Sequence, residues 1–159
     1  METVLVIGGG GFYGRYLVAD LLQHTNAQII VASRKPSAIP SPDGRIVTVA
    51  CDLSDLSSLK RVVAKSNVVV HCAGPFQYLP LNPLRAAIDA QVNYVDIAED
   101  REFARKVQAL SPECLSAGIT VLNGISVVPG FAKQTSIPAS RAVRIRLSAP
   151  FIAIIIPIP

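Results

Sequence analysis

The run Gly8-Gly9-Gly10-Gly11-Phe12-Tyr13-Gly14 holds the residues whose types and spacing most clearly suggest chemistry. Within it, Gly9-Gly10-Gly11-Phe12-Tyr13-Gly14 spells G-x-G-x-x-G. That spacing suits a strand-to-helix turn around a phosphate. Gly9 permits the tight turn, Gly11 removes a Cβ where a pyrophosphate approaches, and Gly14 lets the helix lie close on the strand. The helix start adds free N–H groups and a partial positive charge. The pattern alone is weak, and its surroundings strengthen it: a β-branched run, Thr3–Ile7, precedes it, and residues 12–23 follow with apolar residues at helical spacing. The reading is a dinucleotide-phosphate site drawing on Gly8, Gly9, Gly11, Phe12, Tyr13 and Gly14.

The end of the second strand decides which dinucleotide. An Asp or Glu there would hold a ribose 2′-hydroxyl. The sequence has Ala32-Ser33-Arg34-Lys35, with no carboxylate. Ser33, Arg34 and Lys35 offer a small donor and two cations, which suit a 2′-phosphate. NADP is therefore expected over NAD. Asp52 and Leu53, at the end of the third strand, are candidates for the adenine pocket; alternatively Asp52 or Ser54 caps the next helix. Ala73-Gly74-Pro75-Phe76 ends the fourth strand across from the glycine loop, where open α/β sheets bind ligands. Phe76 either walls the nicotinamide side or packs in the core.

The elements that must position these residues follow a β-α-β rhythm. Strands are expected at Thr3–Ile7, 28–32, 45–50, 67–72, 92–97 and 118–122. Helices are expected at 12–23, from a cap at Ser54 or Asp55 through Ala64, at 81–90 and at 101–110, the last stopped before Pro112. Short buried strands alternating with helices predict an α/β, Rossmann-type, doubly wound parallel sheet, with strand order 3-2-1-4-5-6. Residues 1–131 form the dinucleotide-binding domain in this reading. Residues 132–159 are expected to form a short irregular tail, read as the truncated start of a substrate domain, with a second domain missing or scrambled beyond it. Residues 142–147 alternate apolar and basic residues like a half-exposed strand. The isoleucine-rich end is an apolar edge without a partner, which invites self-association and weakly suggests a homo-oligomer.

The chain has 159 residues, half of them hydrophobic, 16% charged and none Trp. That is enough aliphatic material for a core and argues against disorder. The net charge of +4 is spread over small, separated basic groups, which argues against nucleic-acid binding. Cys51, Cys72 and Cys114 are far apart, without a C-x-x-C pair, so no metal site is expected and a reduced, cytoplasmic protein is. His71 lies in an apolar run and reads as a core histidine. No secretory leader is visible, and the C-terminal apolar run is too short to span a membrane as a helix.

Four segments together carry a family resemblance. They are Val4-Leu5-Val6-Ile7-Gly8-Gly9-Gly10-Gly11-Phe12-Tyr13-Gly14; His71-Cys72-Ala73-Gly74-Pro75-Phe76; Tyr94-Val95-Asp96-Ile97-Ala98-Glu99; and Asn123-Gly124-Ile125-Ser126-Val127-Val128-Pro129-Gly130. In this order and separation the chain resembles the NADP-binding domain of the saccharopine dehydrogenase-like reductases. The resemblance covers about residues 2–131. It implies a nicotinamide-dependent oxidoreductase acting on an imine, amino-acid or carbonyl-type small molecule, with a second domain completing the substrate site. Such relatives often carry a glycine after G-P-F and another just before Y-V-D; Pro80 and Gln91 stand near those places here. Asp96, at a strand's carboxyl end, is a candidate contact to substrate or nicotinamide ribose, and otherwise caps the following helix. Glu99 is a similar candidate, or a solvated side chain. Residues with a catalytic role are not identified.

Two other readings compete. One is a Rossmann module that binds or senses a dinucleotide without turnover. The other, a short-chain dehydrogenase, requires Y-x-x-x-K. Tyr13, Tyr16, Tyr78 and Tyr94 are followed four residues later by Leu17, Asp20, Asn82 and Ala98, never by Lys, so that dyad is absent.

Overall fold

The computed structural model describes residues 2–37, 39–41 and 43–125, and the backbone of three later strands. In chain order the elements are β1 (Thr3–Ile7), α1 (Phe12–His24), β2 (Gln28–Ser33), β3 (Ile46–Ala50), α2 (Leu56–Val63), β4 (Val68–His71), α3 (Asn82–Ala90), β5 (Asn93–Asp96), α4 (Arg101–Ala109), α5 (Ser111–Ala117), β6 (Val121–Asn123), β7 (Lys133–Ser136), β8 (Val143–Ser148) and β9 (Ile152–Pro157). A single 3-10 turn, Phe76–Tyr78, lies between β4 and α3.

The sheet runs β3-β2-β1-β4-β5-β6-β7. The first six strands are parallel, in the expected order, and β7 joins β6 antiparallel. Register brings the carboxyl ends level: Ile7 lies beside Ala32 on one side and His71 on the other, and His71 lies beside Asp96. The chain order reverses direction on either side of β1, which opens a crevice between the loops after β1 and β4.

Strand alternation divides the core between two faces. Leu5, Val69 and Tyr94 pack with Leu59 and Val63 of α2, Leu84 of α3, Phe103 and Val107 of α4 and Cys114 of α5. Val4, Val6, Ile29 and Val31 pack with Leu17, Val18 and Leu21 of α1. Complete burial of each such side chain contributes about 1.5–3 kcal/mol. At the far end of α1, the Arg45 guanidinium donates to the carbonyls of Leu22 (2.7 Å), Thr25 (2.7 Å) and Ala27 (3.3 Å). One side chain thereby satisfies carbonyls around the helix terminus and ties them to the start of β3.

Pro112 ends the helical reading of α4 as expected, but it also opens α5. A proline in a first turn loses no intrahelical bond, so the same residue serves both ends. β7 lies in a Ser-, Pro- and Ala-rich stretch whose sequence pattern shows no strand. The strand expected at 142–147 is found at Val143–Ser148 and pairs antiparallel with Ile152–Pro157, giving the isoleucine run a backbone partner within the chain. The proposed boundary at residue 131 lies outside the described residues.

Gln91, where the resembled family often has glycine, closes α3 in the left-handed conformation with φ 56°. A side chain is strained there by about 1–2 kcal/mol. Gln91→Gly is expected to raise stability by about 1 kcal/mol, read as a higher urea midpoint, and Gln91→Val to lower it.

Candidate functional site

The glycine turn is built by close contact. Gly8 has φ +80°, and a Cβ on it would stand 2.8 Å from the Ala73 nitrogen. Only a residue without Cβ takes this φ without strain against the segment after β4, and the Gly11 N–H donated to the Gly8 carbonyl closes a turn with Gly9 and Gly10 at its centre, so Gly8 joins Gly9 in making the turn out of β1. Gly9 is needed for space, since a Cβ there would lie 2.7 Å from a Val31 methyl. Gly14 has the expected role, because its Cβ would meet the Gly9 Cα at 2.6 Å. Gly11 is exposed and is the N-cap of α1, with no side-chain cap. Its own N–H is turned back onto the Gly8 carbonyl at 2.9 Å. The Phe12 and Tyr13 amides have no acceptor among the described residues. Open amides at a capless helix start, beside glycines that leave room, fit a dinucleotide phosphate.

Ser33 is half-buried at the end of β2, and Arg34 and Lys35 beyond it are exposed. Neither cation is in an ion pair among the described residues. Asp52 is exposed at the end of the adjacent β3 and accepts from the Ser54 N–H (2.8 Å) and hydroxyl (2.7 Å). These bonds, with the charge of Arg34, lower its carboxyl below the usual range. Of the cap candidates Asp52, Ser54 and Asp55, it is Asp55 that caps α2, accepting from the Ser58 N–H at 3.0 Å. Leu53 is half-buried, and its carbonyl accepts from the Asn82 amide at 2.9 Å, which ties this corner to α3. Ser33, Arg34, Asp52 and Leu53 thus share one corner of the sheet's carboxyl edge.

Across the crevice, Ala73 abuts Gly8, while Gly74 and Pro75 are exposed and joined by a cis peptide. Phe76 takes the packing option: it is buried, with its ring centroid 4.8 Å from His71 and 5.0 Å from Phe103. Asp96 lies at the end of β5 but is fully buried. Its carboxylate accepts from the Asn123 amide at 2.8 and 2.9 Å, the Gly124 N–H at 2.9 Å and the Ala98 N–H at 3.0 Å. Burial raises its pKa, and these bonds oppose the rise. As folded, Asp96 holds protein loops and presents no oxygen to solvent. It does not cap α4 either; Asp100 does, accepting from the Phe103 N–H at 2.7 Å. Glu99 is exposed. Ser126–Gly130, the rest of the fourth family segment, lie outside the described residues.

The sequence reading missed the partner of His71. The ring is fully buried, with Nδ1 3.0 Å from the Tyr94 hydroxyl and Nε2 without a hydrogen-bond partner. The period-two spacing of Tyr94 and Asp96 was a usable signal, since it places both on one face of β5. All three cysteines are free and buried. Burial, with a smaller effect from Asp96, pushes the Cys72 thiol up to about 12, which disqualifies it as a nucleophile near neutrality. Among the described residues no group of three His, Cys, Asp or Glu could hold a metal, and no helix is long and apolar enough to cross a membrane.

Two expectations follow. Gly14→Ala forces the Gly8–Gly9 backbone to move and is expected to cost about 1–3 kcal/mol, whereas a Cβ on Gly10 meets nothing within 4 Å. Gly10→Ala should leave the thermal midpoint nearly unchanged. The second concerns pH. Burial pushes His71 down to about 3, against an ordinary 6.5. Between those values the unfolded chain holds the extra proton, so stability rises with pH there and falls as acid is added. Asp96, with its raised pKa, acts in the opposite sense just above 3.8. Relative to His71→Gln, the natural chain should lose about 2 kcal/mol in denaturant titrations between about pH 7 and about pH 5; parallel profiles would contradict a buried neutral imidazole.

The comparisons with known proteins agree with this geometry. The family model for the saccharopine dehydrogenase NADP binding domain matches residues 4–122. The saccharopine dehydrogenase [NADP(+), L-glutamate-forming] of Saccharomyces cerevisiae is 29% identical over 132 residues, covering 81% of this chain and 28% of the relative. A probable mitochondrial saccharopine dehydrogenase-like oxidoreductase of Arabidopsis thaliana is 24% identical over 123 residues, covering 67% and 27%. The solved apo saccharopine dehydrogenase (L-Glu forming) of S. cerevisiae superposes with TM-score 0.65 at 28% identity, over 82% of this chain and 28% of that one. A Rossmann-fold NAD(P)-binding family protein from Shigella flexneri, TM-score 0.59 at 18% identity over 77% and 66%, shares the fold. The chain thus spans little more than a quarter of the length of the saccharopine dehydrogenase-like relatives. With its glycine cradle, its strand order and a match that runs from β1 into β6, the chain belongs to the saccharopine dehydrogenase NADP-binding domain family.

Proposed function

We propose that this chain binds NADP(H) along the carboxyl edge of its sheet as the cofactor-holding part of a saccharopine dehydrogenase-like oxidoreductase. The observation that carries the reading is the pairing of two features on adjacent strands. The open amides of Phe12 and Tyr13 begin α1, and Ser33, Arg34 and Lys35 follow β2 with no carboxylate among them. The first feature receives the pyrophosphate. The second receives the 2′-phosphate, with Arg34 able to donate two parallel hydrogen bonds and Lys35 acting as a mobile point charge.

The bound cofactor supplies hydride chemistry; the chain's residues bind and orient it. Asp52 and Leu53 flank the adenosine side, and Ala73, Gly74 and Pro75 flank the crevice toward the nicotinamide. Gly74 is exposed, and a Cβ there would meet nothing closer than 3.9 Å, so the loop backbone can be approached closely. The substrate belongs, in this proposal, to the amino-acid-derived imines or carbonyl compounds that such reductases handle. The name of the yeast relative, an NADP(+)-linked, L-glutamate-forming enzyme, supports that class.

Titration of the chain with NADPH and NADH tests the assignment directly. NADPH is expected to bind more tightly. Arg34→Ala should weaken NADPH by about 10- to 150-fold, the loss of one charge-assisted contact, while leaving NADH nearly unaffected. Equal affinity for the two cofactors in the natural chain would defeat the 2′-phosphate assignment.

A further inference from the structure

An asparagine at a helix start ordinarily caps it, its side-chain oxygen accepting from a backbone N–H of the first turn. Asn82 opens α3 but does not serve it in this way. The helix has no side-chain cap, and Pro83 brings no N–H to its first turn. The side-chain amide of Asn82 is spent on the loop after β3 instead. Its Nδ2 donates to the Leu53 carbonyl at 2.9 Å and, at the longer distance of 3.4 Å, to the Ser54 carbonyl. A side-chain amide has two N–H protons, and here both go to a segment 28 and 29 residues away in sequence.

That segment is the turn joining β3 to α2. Asp52 closes it from within: its carboxylate accepts from the Ser54 N–H and hydroxyl, and its carbonyl accepts from the Asp55 N–H at 3.1 Å. The next two carbonyls, of Leu53 and Ser54, are the ones Asn82 takes. One residue before the turn, the Cys51 N–H donates to the Ser33 carbonyl at 2.9 Å, so the backbone joins this turn to the residue that precedes Arg34. Elsewhere α2 and α3 meet through Leu59, Val63 and Leu84, which are apolar and hold no carbonyl. They also share an ion pair, Lys60 with Asp89 at 2.7 Å, whose partners are each about half exposed. Such a pair contributes little, and Asp89 lies in the last turn of α3, whereas Asn82 lies in the first.

We propose that Asn82 is a positioning residue for the adenosine half of the cofactor site, acting through the turn that carries Asp52 and Leu53. The proposal rests on the NADP reading above. In a doubly wound sheet the two halves of a dinucleotide lie on opposite sides of the switch point. The adenosine half then falls over β1–β3, and the nicotinamide half over β4–β6. α3 follows β4 and so belongs to the nicotinamide side, yet its first side chain fixes a loop of the adenosine side. Loss of that amide should loosen the border of the adenosine and leave the glycine cradle at α1, which Asn82 does not touch, in place.

The test uses the full chain and two probes, NADPH and adenosine 2′,5′-bisphosphate, which carries only the adenosine half. Asn82→Ala removes both donors, takes no cap from α3 and places a good helix former there. Both probes are expected to bind about fivefold more weakly, the effect of one lost hydrogen bond. At saturating NADPH the variant should keep the cofactor-induced amide shifts of Phe12 and Tyr13 found in the natural chain, and should differ at Ser54 and Asp55. Unchanged affinity for both probes overturns the proposal, as does a loss confined to NADPH. Equal disturbance at Phe12, Tyr13, Ser54 and Asp55 would mark a merely structural role and overturns it too. A measurement on the unaltered chain needs no substitution: the bisphosphate should slow hydrogen exchange of the Asn82 side-chain amide, and unaltered exchange overturns the proposal. If the unaltered chain binds neither probe, the NADP reading itself fails; if it binds both and Asn82→Ala binds them equally well, only the positioning role fails.

Discussion

The contact of Gly14 with the Gly8–Gly9 turn is the constraint on which the site depends. With no Cβ on Gly14, the first turn of α1 lies directly against the end of β1. That contact aims the open N-terminus of the helix along the carboxyl edge of the sheet. Gly8 is meanwhile pressed against Ala73 of the next strand in space. Two close approaches, one to a helix and one to a strand, therefore hold the phosphate cradle at the point where the strand order reverses. Side chains could not do this job, because each would occupy the volume through which the backbones meet.

The two sides of that point have opposite characters. Over β2 and β3 the polar groups are exposed: Arg34, Lys35 and Asp52 face water. They suit a ligand that brings its own charge, since an exposed cation is solvated until a phosphate replaces part of its water. At the ends of β4–β6 His71, Asp96 and Asn123 are buried, and among the described residues only His71 Nε2 is left without a hydrogen-bond partner. They do not present charge to a ligand but fix the loops that form the crevice wall. A single fold thus joins an adaptable electrostatic corner to a preorganised rigid one, and the parallel register that levels the strand ends makes them neighbours.

Much of this was legible before the structure. Apolar runs of five or six residues placed the strands, and helical spacing with capping residues placed most helices, because local pattern and tertiary demand agree in a sheet buried on both faces. Departures came where one residue type serves two purposes. Pro112 reads as a stop, yet it also starts α5. Asp52 and Asp96 read as possible caps beside Asp55, but the folded loops give Asp52 a turn to close and bury Asp96, and leave the capping to Asp55 and to Asp100, which the pattern did not single out.

By itself the sequence determined the family, the α/β class, the phosphate loop and the absence of a carboxylate beside Arg34 and Lys35. These are properties of residue type and near-neighbour spacing, which local stereochemistry and charge express directly. Only the tertiary structure decided that Gly8 takes the positive φ at the exit from β1, that Phe76 packs inward, and that Asp96 is consumed by Asn123 and Gly124. Those outcomes depend on residues far apart in the chain being brought within a few ångströms, and on which polar atoms are then sealed from water.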